Sequence, residues 1–404
     1  MTILLYNKAY GSHHQQNQVS SLSSPMGSSH NSSKGLCEVP FPVLGLAQTD
    51  QKEMIVRTLK LRVGNKLDRQ LNGWLWNLTG VYNWAIKRIE VNARDRIFEP
   101  EKKFQNLLAG HSEKLEIPSH TIQGTLLQAH NAWQRCFKKL AKKPKFKSRR
   151  NRLNSISFID PIQPPKGCRI RLPGLGNLVF HKQELPEGKI KCGRIIKRAT
   201  GWYLCLFIDT QHKVTVKDTE AHIGIDPGFH TLLTLSNGEK IENPRELRKG
   251  AMRLAQAQRS GNKRLVARIH ERQANRRSDR NHKISRKLVE NFKTISYSND
   301  NFRGMAKRFG KSVTEAGLGQ LTGFIDYKSR TGGRLAVPVP SPKTTMRCSA
   351  CWSLTGPTGL SGLSVREWKC AVCGTHHDRD LNSAMVIDIL GAGTAHKETS
   401  NGLN

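Results

Sequence analysis

The sequence predicts an α+β protein of several domains, and three observations support this. Its 404 residues, 37% of them hydrophobic, are enough for two or three domains with cores of their own. Short strand-like segments, separated by Gly and Pro, are interspersed with long helical stretches. Two Cys-x-x-Cys pairs stand close together near the C-terminus, as they do in small metal-binding modules.

The charge of the chain points to a polyanionic partner. Lys and Arg number 66 against 31 Asp and Glu, which gives a net charge of +35. Nucleic acid, an acidic membrane surface and an acidic protein each meet this requirement. No stretch approaches the roughly 20 consecutive apolar residues of a membrane span, so we expect no membrane association. The N-terminus lacks the pattern of a secretory signal, and we expect a cytoplasmic, nucleoid-associated protein.

The first half of the chain reads as an extension, a strand and two helices. Residues 1–53 are rich in Ser, His, Asn and Gln, and we expect them to be disordered. Residues 55–63 alternate apolar and basic side chains like a half-buried strand. Helices are predicted over 74–96, where an aromatic face is interpreted as packing core rather than a base-stacking surface, and over 119–140.

A basic segment follows the second helix. From Lys138 to Arg152, nine of fifteen residues are Lys or Arg, and Phe146 lies among them. Runs of charge are usually just solvated, but this density with an interleaved aromatic favours contacts with phosphate. The candidate phosphate-binding residues are Lys142, Lys143, Lys145, Lys147, Arg149 and Arg150. Beyond this segment, short strand-like runs over 168–172, 178–180 and 202–208 indicate a small β-barrel or sheet.

A second group of basic residues lies on one long predicted helix. Strand-like residues 222–228 and 231–235 precede it. Arginines recur every four residues along this helix, at Arg264, Arg268, Arg272, Arg276 and Arg280. This spacing places them in a slowly drifting row, which suits successive phosphates of a duplex better than it suits water alone.

The four clustered cysteines predict a structural zinc site. Cys348 and Cys351 form one Cys-x-x-Cys pair, and Cys370 and Cys373 form the other. Two such pairs can close a tetrahedral shell of four sulfurs around Zn²⁺. The other five cysteines are scattered, which favours metal binding in a reducing compartment over a disulfide framework. His376 and His377 follow the last cysteine, and we expect them to be bystanders because four sulfurs complete the shell.

Carboxylates from distant segments indicate a second kind of metal site. Asp226 ends a predicted strand, and Asp380 lies in the run 378–384 that follows the cysteines into a helix. An isolated Asp before Pro-Gly is usually a turn residue. Metal-assisted phosphodiester hydrolysis, however, needs carboxylates from several segments to hold two Mg²⁺ ions.

Together these motifs resemble the TnpB family of transposon-encoded RNA-guided nucleases and the related compact type V CRISPR effectors. The resemblance covers residues 54–390. Its motifs are Val81-Tyr82-Asn83-Trp84, Ile117-Pro118-Ser119-His120, Pro144-Lys145-Phe146-Lys147, Gly224-Ile225-Asp226-Pro227-Gly228, the segment 270–277 and the two cysteine pairs with Asp378-Arg379-Asp380-Leu381-Asn382. It implies a β-barrel wedge domain with an inserted helical recognition domain, then an RNase-H-like (RuvC) domain interrupted by a zinc ribbon-like module. It also implies a guide RNA and a double-stranded DNA target as partners, with Asp226 and Asp380 as the first and last catalytic carboxylates.

The resemblance gives expected domain boundaries. They are 54–73 and 153–220 for the wedge domain, 74–152 for the recognition domain with its basic segment, 221–345 and 376–392 for the two parts of the RuvC-like domain, 346–375 for the zinc module and 393–404 for a flexible tail.

The sequence departs from the family at the middle carboxylate, which is normally Glu. Aligning the family motif on Gly304-Met305 places Ser298 at that position, and a hydroxyl is a poor ligand for hard cations. Two replacements are conceivable: Asp300, about 7 Å further along the strand, and Glu315 in a following helix. Trp352 also stands where a Gly usually follows the first cysteine pair, a change we expect to be tolerated.

These features leave three functions open. The leading hypothesis is RNA-guided binding of double-stranded DNA with cleavage impaired or lost at Ser298. The second is an active Mg²⁺-dependent endonuclease that uses Asp300 or Glu315. The third is a basic DNA-binding protein that needs no guide. Zinc is expected in each case, Mg²⁺ only if the protein cuts, and the oligomeric state stays open.

Overall fold

A computed structural model describes residues 53–97, 99–210, 219–359 and 361–401. The predicted disordered extension therefore lies outside the described residues, apart from Glu53. The chain divides into two compact units, one before and one after residue 212, and each is described by itself. None of the described helices is sufficiently long and apolar to cross a membrane.

The first unit contains an antiparallel sheet. Its strands are β1 (Glu53–Arg62), β2 (Ser155–Phe158), β3 (Arg169–Leu172), β4 (Gly176–Phe180), β5 (Lys189–Arg198) and β6 (Gly201–Thr210). The order across the sheet is β2-β5-β6-β1-β4-β3, so the first strand pairs with the last. This half-barrel fits the predicted wedge domain, and its buried face includes Leu59, Leu204 and Leu206.

Four helices are inserted between β1 and β2, as the resemblance implied. They are α1 (Asn65–Arg94), α2 (Glu101–Leu107), α3 (His111–Leu115) and α4 (Ser119–Phe137). The first begins nine residues before the predicted start at Trp74, because Leu71 already belongs to its apolar stripe with Leu75 and Leu78. Tyr82 is buried in the core, and Trp84 packs partly against it.

The second unit contains a mixed five-stranded sheet. Its strands are β7 (His222–Pro227), β8 (Thr231–Leu235), β9 (Lys240–Glu242), β10 (Thr294–Ser298) and β11 (Leu335–Val339). The order is β11-β10-β7-β8-β9, with β10 parallel to both β7 and β11 and the remaining pairs antiparallel. Strand β11 is at the edge of the sheet, where Pro338 can be accommodated.

Helices flank this sheet. They are α5 (Glu246–Lys249), α6 (Ala251–Arg259), α7 (Lys263–Asn291), α8 (Phe302–Ala316), α9 (Leu318–Thr331) and α10 (Arg379–Asn401). Leu288 of α7 and Leu321 and Ile325 of α9 share a core with the strands. Helix α10 packs on β7, β10 and β11, and it continues to Asn401 through most of the residues predicted to form a flexible tail.

The cysteine module lies between β11 and α10. It contains a short 3₁₀ helix (Ser361–Ser364) and a two-stranded ribbon of β12 (Glu367–Lys369) and β13 (His376–Asp378). Because β11 and α10 both belong to the second unit's layered core, the module interrupts that domain in sequence. This agrees with the predicted α+β architecture of an RNase-H-like domain and an inserted zinc ribbon-like module.

Candidate active site and metal centre

Close packing of α10 on β7 brings Asp226 and the start of α10 together. Gly224 lies two residues before Asp226, and a Cβ at this glycine would clash with the Ala384 carbonyl oxygen and the Asp388 amide nitrogen. Only glycine lets the helix backbone approach the strand so closely. The Gly-Ile-Asp motif therefore combines a packing position with a carboxylate at the end of the strand.

Hydrogen bonds to two aspartates, Asp388 and Asp378, hold α10 on the sheet and fix its start. Asp388 accepts a hydrogen bond of 2.8 Å from the Ser236 hydroxyl, and its other oxygen is 2.9 Å from Nδ1 of His222. At the start of the helix, Asp378 accepts hydrogen bonds from the backbone amides of Asp380 and Leu381, at 3.0 and 2.9 Å. Such a bond satisfies amides that have no partner within the helix. Lys240 on β9 donates to the other oxygen of Asp378 at 2.7 Å.

Asp226 lies close to two further carboxylates. Burial raises its pKa to about 8, and the negative charges of Asp380 and Asp300 contribute to the increase. Asp226 is partly exposed, but protein atoms surround its carboxyl group closely. Loss of hydration is therefore the main cause of the raised pKa. Carboxylates from the segment after β10 and from the start of α10 are thus near enough to β7 for their charges to act on Asp226.

Asp300 is bonded to the residue at the predicted position of the missing Glu. Ser298 ends β10, is buried, and donates a hydrogen bond of 2.6 Å from its hydroxyl to Oδ2 of Asp300. The two side chains therefore meet although their positions are two residues apart along the chain.

Glu315, the other conceivable replacement, has different partners. It is buried at the end of α8, where its carboxylate accepts from the Arg248 backbone amide at 3.1 Å and lies 3.3 Å from Nε of Arg248. This carboxylate ties α8 to α5, and its negative charge is offset by an arginine.

Asp380 is held by two arginines. Its Oδ1 accepts from Nε and Nη2 of Arg379, at 3.0 and 2.7 Å, and its Oδ2 accepts from Arg366 of the cysteine module at 3.3 Å. A cation that binds Asp380 through Oδ2 would have to displace Arg366. Because that arginine is about half exposed, such a movement requires little repacking.

The four predicted zinc ligands form one compact cluster. The sulfurs of Cys348, Cys351, Cys370 and Cys373 all lie within 4.8 Å of one another. In the part of the chain that the structure describes, no other group of three or more His, Cys, Asp or Glu residues has its ligand atoms so close. The donor set fits a closed thiolate shell, which leaves no position for a substrate.

Each cysteine pair forms the same backbone turn. The amide of Cys348 donates to the Ser353 carbonyl, and the amide of Cys370 donates to the Thr375 carbonyl, both at 2.9 Å. Trp352 and Gly374 follow the two pairs and both have positive φ, 63° and 72°. A glycine suits this conformation, whereas Trp352 adopts it with Arg347 donating to its carbonyl at 3.1 Å and stacking over its ring.

Side chains outside the cysteine pairs also contact the sulfurs, among them those of Ser353, Thr355, Thr375 and His377. Nε2 of His377 lies 3.1 Å from the Cys348 sulfur, and the ring is buried against Trp368. Burial lowers its pKa, which favours a neutral ring. Both histidines lie outside the four-sulfur group, as expected, but His377 packs against it, whereas His376 is exposed.

Asn382 joins the cysteine module to α10. This buried side chain accepts from the Ser349 amide and donates to the Arg347 carbonyl, both at 2.8 Å. It lies two residues from Asp380 on the same helix. The sequence motif Asp-Arg-Asp-Leu-Asn thus contains a helix cap, a candidate metal ligand and a link to the cysteine turn.

The basic segment of the first unit is fixed to α1. Asn83 forms two hydrogen bonds of 2.8 Å with the backbone of Lys147, one to its carbonyl and one from its amide. Lys143 pairs with the buried Glu90 at 2.8 Å. The remaining predicted phosphate ligands of this segment are exposed: Lys142, Lys145, Arg149 and Arg150.

The arginine row on α7 is not uniform. Arg264, Arg268, Arg272 and Arg276 are exposed, although Arg276 pairs with Glu246 at 2.9 Å. Arg280 is half-buried and donates to the carbonyl of Ala316 and the side chain of Asn281. Its guanidinium thus bonds to the protein itself, whereas those of Arg264, Arg268 and Arg272 have no such partner within the part of the chain that the structure describes.

Comparisons with known proteins agree with these features. Residues 206–308 match the family model OrfB_IS605, described as "Probable transposase", and residues 319–387 match "Cas12f1-like, TNB domain". The second match spans the cysteine module and the start of α10.

Two relatives extend the similarity over most of the chain. A protein of Streptomyces pristinaespiralis named "Putative RNA-guided DNA endonuclease" is 31% identical over 310 residues, which cover 71% of this chain and 75% of that protein. The Escherichia coli K12 protein "Putative RNA-guided DNA endonuclease InsQ" is 26% identical over 374 residues, covering 83% and 91%.

The fold has a counterpart among solved structures. A chain in the cryo-EM structure of a Cas12f1-sgRNA-target DNA complex superimposes with a TM-score of 0.53 at 12% identity, covering 80% of this chain and 83% of that one. This likeness concerns the fold. With the sequence identity to the Streptomyces protein and the family motifs in order, it follows that the chain belongs to the TnpB family.

Proposed function

We propose that this chain is an RNA-guided DNA endonuclease whose metal-binding carboxylates are Asp226, Asp300 and Asp380. The names of its relatives support guided recognition and cleavage of DNA. The observation that supports catalysis is the Asp300 carboxylate, which is bonded to Ser298 and whose charge acts on Asp226. The sequence alone favours an impaired site, whereas the position of this carboxylate favours a site with three metal-binding carboxylates.

The three aspartates fit Mg²⁺ as a donor set. Mg²⁺ takes oxygen ligands, usually one or two carboxylates together with phosphate oxygens of the substrate. When bound, the ions would supply an activated water and offset charge on the attacking and leaving oxygens. Asp226, buried among like charges, would gain most from a cation, because the cation favours its ionised form.

The residues around Asp380 would orient it. Asp378 fixes the start of α10, and Arg379 holds Oδ1 of Asp380. Arg366, bonded to Oδ2, would turn from this carboxylate towards a phosphate when DNA arrives, since both are anionic oxygen acceptors with which guanidinium pairs well. The exposed basic residues of the α1-bound segment and of α7 would contact the phosphates of RNA and DNA.

Sequence choice would come from base pairing with a guide RNA, and the protein would read a short adjacent motif and the backbone of the heteroduplex. The four-cysteine cluster would hold a structural Zn²⁺. Guide-directed recognition and zinc binding do not depend on Ser298.

A second candidate, guided binding without cleavage, has one specific observation in its favour. Ser298 occupies the family's Glu position, and both oxygens of Asp380 are taken by arginines. If Asp300 does not bind metal, Asp226 and Asp380 are too few ligands for two Mg²⁺ ions. The basic surfaces would still bind nucleic acid.

One experiment separates these functions. RNA that co-purifies with the protein is sequenced, and the loaded protein is tested for cleavage of a matching plasmid in Mg²⁺ beside a gel shift on the same target. Guide-dependent cutting that Asp226→Ala abolishes is the expected result. A gel shift without cutting would favour the binding-only candidate, and absence of a specific RNA would favour a guide-independent DNA-binding protein.

A further inference from the structure

Two aromatic rings lie together next to the proposed nuclease site. Phe229 is three residues beyond Asp226, and its ring centroid is 6.3 Å from that of Phe309 on α8, with the planes inclined at 41°. Phe309 is 42% exposed. Its backbone leaves the helical region (φ −118°, ψ 32°), so α8 is kinked at this residue. An exposed ring at a kink beside a catalytic turn is poorly explained by core packing.

The same helix presents a basic face. Arg303, Lys307 and Lys311 are exposed at spacings of four residues, which place them on one side of the helix, and the exposed Arg308 lies beside Lys307. None of them forms an ion pair or hydrogen bond within the described residues. No acidic residue occurs between Asn301 and Thr314. By contrast, Glu315 at the end of α8 is already neutralised by Arg248.

The position of this face relates it to the carboxylates. Helix α8 begins at Phe302, two residues after Asp300, and Asn301 caps it by accepting from the Gly304 amide at 2.9 Å. Phe229 connects the other side of the kink to the turn that follows Asp226. Phe229 follows Asp226 by three residues and Phe309 follows Asp300 by nine, so the two rings in contact belong to the segments that carry two of the carboxylates.

We infer that Phe309 and the cations of α8, here called the α8 surface, bind single-stranded DNA next to the phosphate that is cut. Proteins that bind single strands combine a basic path for the backbone with aromatic rings on which bases stack. A duplex would not suit the α8 surface, because its base faces are already stacked on one another. The inference rests on the proposed function in assuming that DNA is cleaved at the nearby carboxylates. Binding of a single strand to the α8 surface is testable without that assumption.

The test uses the full-length protein and two measurements. The first is binding of a short single-stranded DNA that contains 2-aminopurine, whose fluorescence falls when the base stacks, with an RNA strand of the same sequence as a second arm. The second is guided binding and cleavage of a target duplex by the RNA-loaded protein. Phe309→Ala should weaken oligonucleotide binding about tenfold, reduce quenching and slow cleavage about tenfold, with duplex affinity changed less than about twofold.

Control variants separate stacking and charge from general damage. Phe309→Leu keeps an apolar contact with Phe229 but cannot stack, and it should resemble Phe309→Ala, whereas Phe309→Tyr should resemble the wild type. The triple change Lys307→Gln, Arg308→Gln, Lys311→Gln should weaken the oligonucleotide more than an equal loss of charge from the exposed residues Lys249, Arg253 and Arg259.

Several results would overturn the inference. Unchanged quenching in Phe309→Ala, equal effects of the two triple changes, or tighter binding of the RNA strand than of the DNA strand would each do so. A loss of duplex affinity as large as the loss of cleavage would assign the α8 surface to duplex or guide contacts instead. If the wild type shows no guided binding at all, the proposed function fails. The oligonucleotide measurement still tests whether the α8 surface binds single-stranded DNA.

Discussion

The Ser298 hydroxyl donates a hydrogen bond of 2.6 Å to Oδ2 of Asp300. The serine that the sequence motif aligns with the family's Glu therefore lies beside a carboxylate two residues later in the chain. A carboxylate held by one hydroxyl keeps its other oxygen available for a cation. Orienting a metal ligand in this way is the usual role of residues just outside a metal's own shell.

We first predict that Asp300→Asn reduces guided plasmid cleavage at least about a hundredfold, since removing one anionic ligand weakens metal binding. Ser298→Ala, which removes only the orienting hydroxyl, should cost about tenfold or less. The double change Ser298→Glu with Asp300→Asn should recover part of the activity, because it returns the carboxylate to the family position. Gel shifts on the same target should be unchanged in all three.

Glu315→Gln is the control for this series. It should lower thermal stability, because it disrupts the contact with Arg248, yet leave cleavage of the folded protein close to wild type. Full activity in Asp300→Asn together with loss in Glu315→Gln would identify Glu315 as the metal ligand.

The second prediction concerns the pH dependence of Asp226. Burial and the charges of Asp380 and Asp300 raise its pKa from 3.8 to about 8. Between these values the folded protein without metal holds a proton that the unfolded chain has released, so this group makes stability fall as pH rises from about 4 to about 8. Asp226→Asn should therefore raise Tm by about 3 °C or more at pH 8 in a chelator, less at pH 5, and little at about pH 4. A gain that does not depend on pH would contradict this assignment.

The third prediction is zinc stoichiometry. The purified protein should contain about one Zn²⁺, held by the four clustered cysteines. Replacing Cys370 and Cys373 together by Ser should remove it, as measured by elemental analysis, and should lower stability. Replacing Cys136 and Cys168, which lie outside the cluster, should leave the zinc content unchanged. Zinc retained in the first variant would place the metal elsewhere.

The fourth prediction tests the link between the cysteine turn and α10. Asn382→Ala leaves the Arg347 carbonyl and the Ser349 amide without their buried partner, which costs about 1–3 kcal/mol. Cleavage should fall because Asp380 is two residues away, while zinc content and gel-shift affinity stay near wild type. Ser349→Ala keeps the backbone amide and serves as control. Loss of zinc in Asn382→Ala would mean that the residue supports the metal cluster rather than Asp380.

The sequence predicted the elements that have strong local signals. Alternation identified β1, a short strand-like run bounded by turn residues identified β6, and cysteine spacing identified the cluster, because each signal depends on a few neighbouring residues. The edge strand β11 was missed: Pro338 argues against a strand unless its edge position is known. Helix α1 began earlier than predicted because its aromatic residues, rather than Leu71, were taken as the start.

The site was predictable in composition but not in geometry. Asp226, Asp380 and the cysteines could be named from motifs, whereas the Ser298–Asp300 hydrogen bond depends on side-chain conformations that the motifs do not specify. The role of Asn382 also depends on tertiary contact, since its two partners are more than thirty residues away in sequence. For the contact of His377 with Cys348, the sequence did carry a signal. A histidine on the strand that follows a cysteine pair is close enough to reach the sulfurs.

The last prediction concerns the arginines of α7, which the structure separates into two kinds. Arg268→Gln with Arg272→Gln and Arg276→Gln should weaken binding to any DNA sequence about equally. It should also lower the slope of log affinity against log salt by up to about three, because each lost phosphate contact releases about one counterion fewer. Arg280→Gln should leave the slope unchanged. It should lower Tm instead, since it removes bonds to the Ala316 carbonyl and to Asn281 in a half-buried position.

The measurements are filter binding between about 50 and 200 mM salt and thermal unfolding of each variant. A salt slope that falls in Arg280→Gln as in the triple variant would show that this guanidinium leaves its protein partners to bind phosphate. Altered sequence preference with an unchanged slope in the triple variant would show that the exposed arginines contact bases rather than the backbone.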